Sequence, residues 1–274
     1  MTNRWQAAWH RLRSGLPGPI RRWVSATIQS VLTGATRWYR GSRRYRLMHE
    51  RSVEALSGRA MQGAGRDDQF FKAYVRAQLD DALHFIHGQV LGPRVMDRTI
   101  YLAGLLDTVL PVSREKLSLL CVGCRNSQEL DYLQTRCRLR DLQGLDLQST
   151  DSRITVGDMH QIPFPDHAFD ILYACHSLEH AYDLDRTLAE CLRVTKSGGI
   201  MVIEMPVNYR VSETDRWDVG SAGKLVARLG SVVEEVLVSE DSGQNARVIV
   251  RICKPAALAG TASSMEPLSS PHTP

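Results

Sequence analysis

Gly123 and Asp146 stand twenty-three positions apart, each closing a short apolar run: Leu119-Leu120-Cys121-Val122-Gly123 and Gly144-Leu145-Asp146. A glycine after a buried strand lets the backbone approach a ligand closely, because it has no Cβ. An acid about 20 residues further on can accept both hydrogen bonds of a ribose diol. The pair therefore points to a nucleoside-bearing ligand. The turn between them, Gly123-Cys124-Arg125-Asn126-Ser127-Gln128, offers one glycine and places Arg125 where a second would stand. A pyrophosphate cradle needs G-x-G-x-x-G, so a dinucleotide is disfavoured. Arg125 would instead suit a ligand carboxylate, which a guanidinium holds directionally.

Downstream, His176 closes another apolar run, Phe169–Ala174, and an imidazole titrates near neutral pH, as a general base requires. A hydrogen-bonded packing histidine is the competing reading. Glu179 and His180 follow in the next turn and would orient His176 or line a cavity. Further on, Asn208, Tyr209, Arg210, Asp215, Arg216 and Trp217 form a polar and aromatic loop. His180, Tyr209 and Arg210 are the expected acceptor contacts, and Arg210 and Arg216 would suit an anionic or sugar-like acceptor; a solvated loop is the alternative. Cys121 and Cys124 make a C-x-x-C with no second pair at zinc-ribbon distance, so no metal is assigned. The six cysteines are irregularly spaced in a chain of 274 residues, which suits a reducing cytoplasm better than a disulfide framework.

These residues need elements to hold them. From Leu117 onward strand-like and helix-like runs alternate: Leu117–Val122, Ser127–Thr135, Gln143–Leu147, Ile154–Val156, Phe169–Ala174, Leu184–Thr195 and Ile200–Met205. Such alternation predicts an α/β, Rossmann-like doubly wound sheet, mostly parallel. Val232–Glu240 and Ala246–Cys253, separated by the turn chemistry of 241–245, predict an antiparallel C-terminal hairpin. Ahead of the sheet, Phe71, Tyr74, Val75, Leu79, Leu83 and Ile86 mark one helix face, and Ile100, Leu102, Leu105, Leu106 and Val109 another. The expected division is a basic arm over 1–65, a helical lead-in over 66–112, the main domain over 113–255, and a disordered Ala/Ser/Thr/Pro tail over 256–274.

The first 51 residues hold eleven arginines, no lysine and one acid, Glu50, with four of the five tryptophans interleaved. Ile20, Val24, Ile28, Val31 and Leu32 recur at helical spacing, a pattern suited to an anionic membrane surface. A flexible basic extension is the plainer reading. No run approaches the roughly 18 to 20 apolar residues of a spanning helix. The expected location is cytoplasmic, peripheral at the inner face of a membrane.

Four fragments then occur in order: Gly157-Asp158-Met159-His160-Gln161-Ile162-Pro163-Phe164-Pro165-Asp166; Phe169-Asp170; Ser177-Leu178-Glu179-His180; and Leu192-Arg193-Val194-Thr195-Lys196-Ser197-Gly198-Gly199. In that order and spacing the run, about Leu117 to Pro206, closely resembles class I S-adenosylmethionine-dependent methyltransferases related to the ubiquinone-pathway enzymes. The resemblance implies S-adenosylmethionine as cofactor, with Gly123 and Cys124 beside its methionine portion. Arg125 would reach its carboxylate, Asp146 and Leu147 its ribose, and Asp158 and Met159 its adenine. It places His176 nearest the reactive methyl. Asp170 is expected to organise backbone, and Gly198-Gly199 to turn the chain into strand five. In the first loop the family's D/E-x-G-x-G-x-G is altered by Cys121, Arg125 and Ser127.

The reaction so implied is methyl transfer by in-line displacement to a small-molecule or sugar-like acceptor, with O-methylation expected. Two other readings stand beside it: a non-catalytic methyltransferase-fold module tethered by its basic arm, and an RNA methyltransferase. The net acidity of the body beyond residue 51 argues against a surface that tracks phosphates, so nucleic acid is disfavoured.

Overall fold

Alternating apolar runs dictate where the backbone must pair, and the computed structural model realises them as seven strands in one sheet. It describes residues 42–65, 68–88, 95–124, 126–149 and 151–253, without the side chains of 84–88. Residues 1–41 of the basic arm, Arg125 and the expected tail lie outside the described residues, as do the expectations that rest on them.

The strands are β1 (Ser118–Val122), β2 (Asp141–Asp146), β3 (Ile154–Val156), β4 (Phe169–Cys175), β5 (Thr195–Pro206), β6 (Val233–Ser242) and β7 (Asn245–Ile252). Their order is β3-β2-β1-β4-β5-β7-β6, with β1 to β5 parallel and β7 antiparallel to both β5 and β6. The expected doubly wound sheet with a C-terminal hairpin is what forms. Strand order reverses between β1 and β4, and in an open α/β sheet the ligand crevice opens at that reversal, beyond the strands' carboxyl ends.

The described helices are α1 (Arg43–Ala64), α2 (Gln69–Gly88), α3 (Asp97–Val109), α4 (Ser127–Cys137), α5 (Leu184–Val194) and α6 (Ala222–Leu229). On one face of the sheet, α5 and α6 bury Leu184, Leu188, Leu225 and Leu229 against Leu120, Leu172, Met201 and Val250. On the other, α3 and α4 bury Leu102, Leu106, Leu130 and Leu133 against Leu119, Ile171, Tyr173 and Ile249. β1 is buried at every position because both of its faces are covered.

Two elements depart from expectation. Residues 43–64, assigned from sequence to the arm, form a helix packed on α2. Its inward residues are Tyr45, His49, Val53, Ser57 and Ala60. They recur every three or four positions, but only two are bulky and apolar, so hydropathy alone does not reveal the stripe. His49 fixes the pairing, its Nδ1 3.3 Å from the Tyr45 hydroxyl and its Nε2 2.8 Å from Asp80 Oδ1 on α2. The second, α6, is a two-turn helix capped by the Ser221 hydroxyl, which accepts from the Lys224 N–H. The helix α2 begins where expected, Asp68 Oδ1 accepting from the Phe71 N–H.

α1 and α2 form a third cluster around Phe71, Tyr74, Val75 and Leu79, against which Leu147 and Tyr182 pack. This places α2 over the carboxyl ends of the strands. No described helix is long and apolar enough to cross a membrane.

Candidate active site

At the end of β1, Gly123 adopts φ +72°, and its N–H donates to Leu145 O at 2.7 Å. A Cβ there would sit 2.3 Å from Ser177 Cβ. Glycine is required both by the left-handed backbone and by the closeness of the turn after β4. Asp146 ends β2, its Oδ1 accepting the Gln148 N–H at 3.3 Å. Gly157 and Met159 follow β3. Together with Val122, Leu145, Leu147 and Gln148 they form one end of a cavity of about 430 Å³. The other end is formed by His176, Ser177, Glu179 and His180 after β4, and by Pro206, Tyr209 and Asp215 after β5. Tyr74, Gln78, Leu79, Asp81 and Ala82 of α2 roof it, and Arg98 of α3 reaches in.

His176 carries φ +50°, uncommon for a residue with a side chain and typical of functional turns. Its N–H donates to Glu204 O at 2.9 Å, and its imidazole is clamped from β5 and β7. Nε2 lies 3.1 Å from Glu204 Oε1 and 3.0 Å from Asn245 Oδ1. Both partners are acceptors, so Nε2 carries a proton, and in the neutral imidazole the lone pair is therefore on Nδ1. Nδ1 in turn lies 3.6 Å from Glu179 Oε1. Glu204 is wholly buried and pairs through its second oxygen with Arg247 Nε, while Arg247 lies over the Tyr101 ring.

Glu179 is 3% exposed, and its Oε2 has no hydrogen-bond partner. Burial raises its pKa above the ordinary carboxylate value, against the opposing pull of His180 and His176. His180 donates from Nδ1 to Thr214 O at 3.0 Å and lies 3.1 Å from Asp215 Oδ1. Burial works against its charge, but the Asp215 hydrogen bond and the Glu179 carboxylate outweigh it, so its pKa is raised. Asp215 is held below its ordinary value by the same hydrogen bond. Tyr209 donates to Trp217 O at 2.7 Å, and burial pushes its phenol pKa up. Gln78 Nε2 donates to Thr214 O at 3.0 Å, tying the α2 roof to this loop.

Of the residues expected from sequence, Gly123, Asp146, Leu147, Met159, His176, His180 and Tyr209 converge on the cavity. Three do not line it. Asp158, expected at an adenine, is 1% exposed and turned into its own loop, and only its neighbours Gly157 and Met159 reach the wall. Its Oδ1 accepts the His160 N–H at 2.9 Å and its Oδ2 the Tyr182 hydroxyl at 3.3 Å. His160 in turn accepts the N–H groups of Tyr182 and Asp183, so the carboxylate anchors a turn. Cys124 is buried behind the wall; a Cβ on Gly144 would lie 2.4 Å from its sulfur. Arg210 is exposed, because the loop that turns Tyr209 inward points the next side chain outward. Arg125 lies outside the described residues. Asp170 organises backbone as expected, its Oδ2 accepting from the Ser118 N–H and hydroxyl and from Lys196 Nζ.

Sequence reasoning missed Glu204 and Arg98. Glu204 sits mid-strand in Ile200–Met205, where an acid in an apolar run was the available signal. Arg98 precedes the α3 stripe and makes no hydrogen bond or ion pair with any described residue, although it lines the cavity.

The cavity fits S-adenosylmethionine on its own chemistry. Tyr74 Oη and Ser177 Oγ are buried wall atoms without protein partners, the Asp146 carboxylate stands at the β2 end where a ribose diol would meet it, and the Arg98 guanidinium, unpaired among the described residues, is available for a carboxylate.

Residues 120–203 match the family described as a methyltransferase domain. Ajmaline N-methyltransferase of Rauvolfia serpentina is 28% identical over 134 residues, which are 48% of this chain and 43% of that protein. Malonyl-[acyl-carrier protein] O-methyltransferase 1 of Coxiella burnetii is 33% identical over 95 residues, 32% of this chain and 34% of that protein. Among solved structures, the complex between the Haloferax volcanii Trm112 methyltransferase activator and the putative methyltransferase has a chain with a TM-score of 0.48. It is 15% identical, with 58% of this chain and 92% of that chain covered. The chain spans less than half the length of these two curated relatives. The ordered motifs, the strand order, the cavity at its reversal and the matched segment agree: this chain carries a class I S-adenosylmethionine-dependent methyltransferase domain.

Proposed function

We propose that the protein transfers a methyl group from S-adenosylmethionine to a small-molecule acceptor, with His176 as the base that takes the acceptor's proton. The observation that carries this reading is the clamp on His176: with Nε2–H fixed by Glu204 and Asn245, the basic Nδ1 is left in the cavity. When bound, S-adenosylmethionine supplies an electrophilic methyl whose carbon–sulfur bond breaks as the acceptor's lone pair attacks, leaving the bonding pair on sulfur. The protein's own share is orientation, which can be worth roughly 7 to 11 kcal/mol when reacting groups are held in line. Gly123, Asp146, Leu147 and Met159 would hold the cofactor, Arg98 its carboxylate, and His180 and Tyr209 would border the acceptor.

A base suits an acceptor oxygen, as expected from sequence, or a nitrogen. The relatives do not choose between them, one being named for N- and the other for O-methylation. Of the two arginines expected to suit an anionic or sugar-like acceptor, Arg210 is exposed, whereas Arg216 is half-buried and donates to Glu213 O at 3.3 Å. Calorimetry with S-adenosylhomocysteine tests the reading: micromolar binding by folded protein supports it, and no binding refutes it in favour of a tethered module.

We further propose that residues 1–51 hold the protein at the cytoplasmic face of an anionic membrane. The support is composition, eleven arginines interleaved with four tryptophans. Sedimentation with phosphatidylserine vesicles, lost on deleting residues 1–41 and so leaving the packed helix α1 whole, is the expected result.

A further inference from the structure

Strand order fixes how the cavity is laid out. Neighbouring strands lie about 4.8 Å apart, so β2, β1, β4 and β5 carry the wall residues across roughly 14 Å. Asp146, at the β2 end, is the residue for a ribose. Gly123 and His176 lie in the middle. Glu179, Tyr209 and Asp215 are past β4, on the side opposite the ribose, where an acceptor must enter.

That end is anionic and poorly compensated. Asp215 is engaged with His180, but Glu179 is not matched by any Lys or Arg among the described residues. The cationic partners nearest its Oε1 are two imidazole nitrogens, at 3.6 Å (His176) and 4.0 Å (His180), both beyond hydrogen-bond length, and its own backbone N–H is the one hydrogen bond that favours the charge. Its Oε2 is buried with no donor at all. The main chain at Glu179 is fixed, its O accepting from the Arg216 N–H at 2.7 Å, but that bond leaves the carboxylate itself uncompensated. A carboxylate so placed is costly unless something in the cavity supplies both a donor and a positive charge. A hydroxyl would supply the donor alone. A protonated amine supplies both, and hydrogen bonds between charged groups are roughly twice as strong as neutral ones.

We propose that the acceptor is an amine, seated as its cation with an N–H on Glu179. This rests on the methyltransferase reading above and names its substrate class. The amine passes one N–H proton to His176 Nδ1. The lone pair so freed makes the new nitrogen–carbon bond, and the positive charge that leaves sulfur then resides on the methylated nitrogen, beside Glu179. The raised pKa of Glu179 fits this use, because a cation in the cavity would restore the charge that burial disfavours.

The test uses the full chain saturated with S-adenosylhomocysteine and titrated at neutral pH with phenethylamine and with 2-phenylethanol, which differ in the donor and its charge. The expected result is a Kd at least tenfold lower for the amine, with that preference lost in Glu179→Gln while the Kd for S-adenosylhomocysteine stays within about twofold. No preference for the amine in the wild-type chain overturns the proposal, and that comparison holds whether or not the variant folds. A preference that survives in Glu179→Gln also overturns it, as does a variant that loses S-adenosylhomocysteine, which would assign Glu179 to the cofactor. Wild-type protein that binds no S-adenosylhomocysteine refutes the underlying reading, and the proposal with it.

Discussion

His176 Nε2 lies 3.1 Å from Glu204 Oε1, and this one contact makes β5 the element that fixes the Nε2 proton of the first residue after β4. Asn245 Oδ1 from β7 completes the clamp at 3.0 Å. The antiparallel hairpin thus closes the sheet and also orients this imidazole.

Removing the base and removing its clamp should have separable effects. His176→Asn is expected to slow methyl transfer about 10²- to 10⁴-fold, the usual contribution of a positioned base, with little change in S-adenosylhomocysteine affinity. Glu204→Gln keeps a hydrogen-bonding oxygen but removes the charge. It should lower kcat about tenfold with KM nearly unchanged, and lower the melting temperature, because Arg247 loses its buried partner. Equal kcat in wild type and Glu204→Gln would mean that the clamp does not serve the chemistry.

Gly123→Ala should fail for two reasons at once. The left-handed backbone costs a side chain about 1–2 kcal/mol, and the new methyl would lie 2.3 Å from Ser177 Cβ. Adding Ser177→Gly removes the second cost and leaves the first. Denaturant unfolding of the two single variants and the double should therefore be non-additive, the double being more stable than Gly123→Ala alone. Strict additivity would show that the two turns do not touch.

Arg98 is expected to hold the cofactor's carboxylate. A charge-assisted pair is worth about 1.5–3 kcal/mol, so Arg98→Ala should weaken S-adenosylhomocysteine binding about ten- to a hundredfold. Its decarboxylated analogue, lacking the anion, should bind wild type and variant alike. Calorimetry on the four combinations decides it; an equal loss for both ligands would place Arg98 elsewhere in the site.

The parts of this architecture written as bulky apolar periodicity were legible in the sequence. β1, β3, β4 and the hairpin fall within a residue or two of where alternating runs place them, and Gly123, Asp146 and His176 lie on one cavity because strand ends in a parallel sheet must converge. Helix α1 was not legible, since Ser57, Ala60 and His49 make a packing face out of small and polar groups. Side-chain direction was not legible either. Asp158 sits at the right strand end, yet His160 and Tyr182 take both of its oxygens. Arg210 follows an inward tyrosine and therefore points out. Glu204 and Arg98 act across strands and helices distant in the chain, and no local pattern announces such partners.

The His180–Asp215 pair gives the site a pH signature. His180 has its pKa raised on folding, so its contribution to stability is fully present below the ordinary value of 6.5 and is lost as pH rises through the higher folded value. Asp215 has its pKa lowered, so its contribution is present above the ordinary 3.8 and is lost as pH falls through the lower folded value. The pair therefore supports the wall most fully between those two ordinary values. Asp215→Asn removes the group whose hydrogen bond does most to hold the proton on His180. The imidazole resonance of His180, followed by NMR, should titrate above 6.5 in the wild-type chain and at a lower pH in the variant. An unchanged midpoint would assign the raised value to Glu179 instead, and Glu179→Gln should then be the substitution that lowers it.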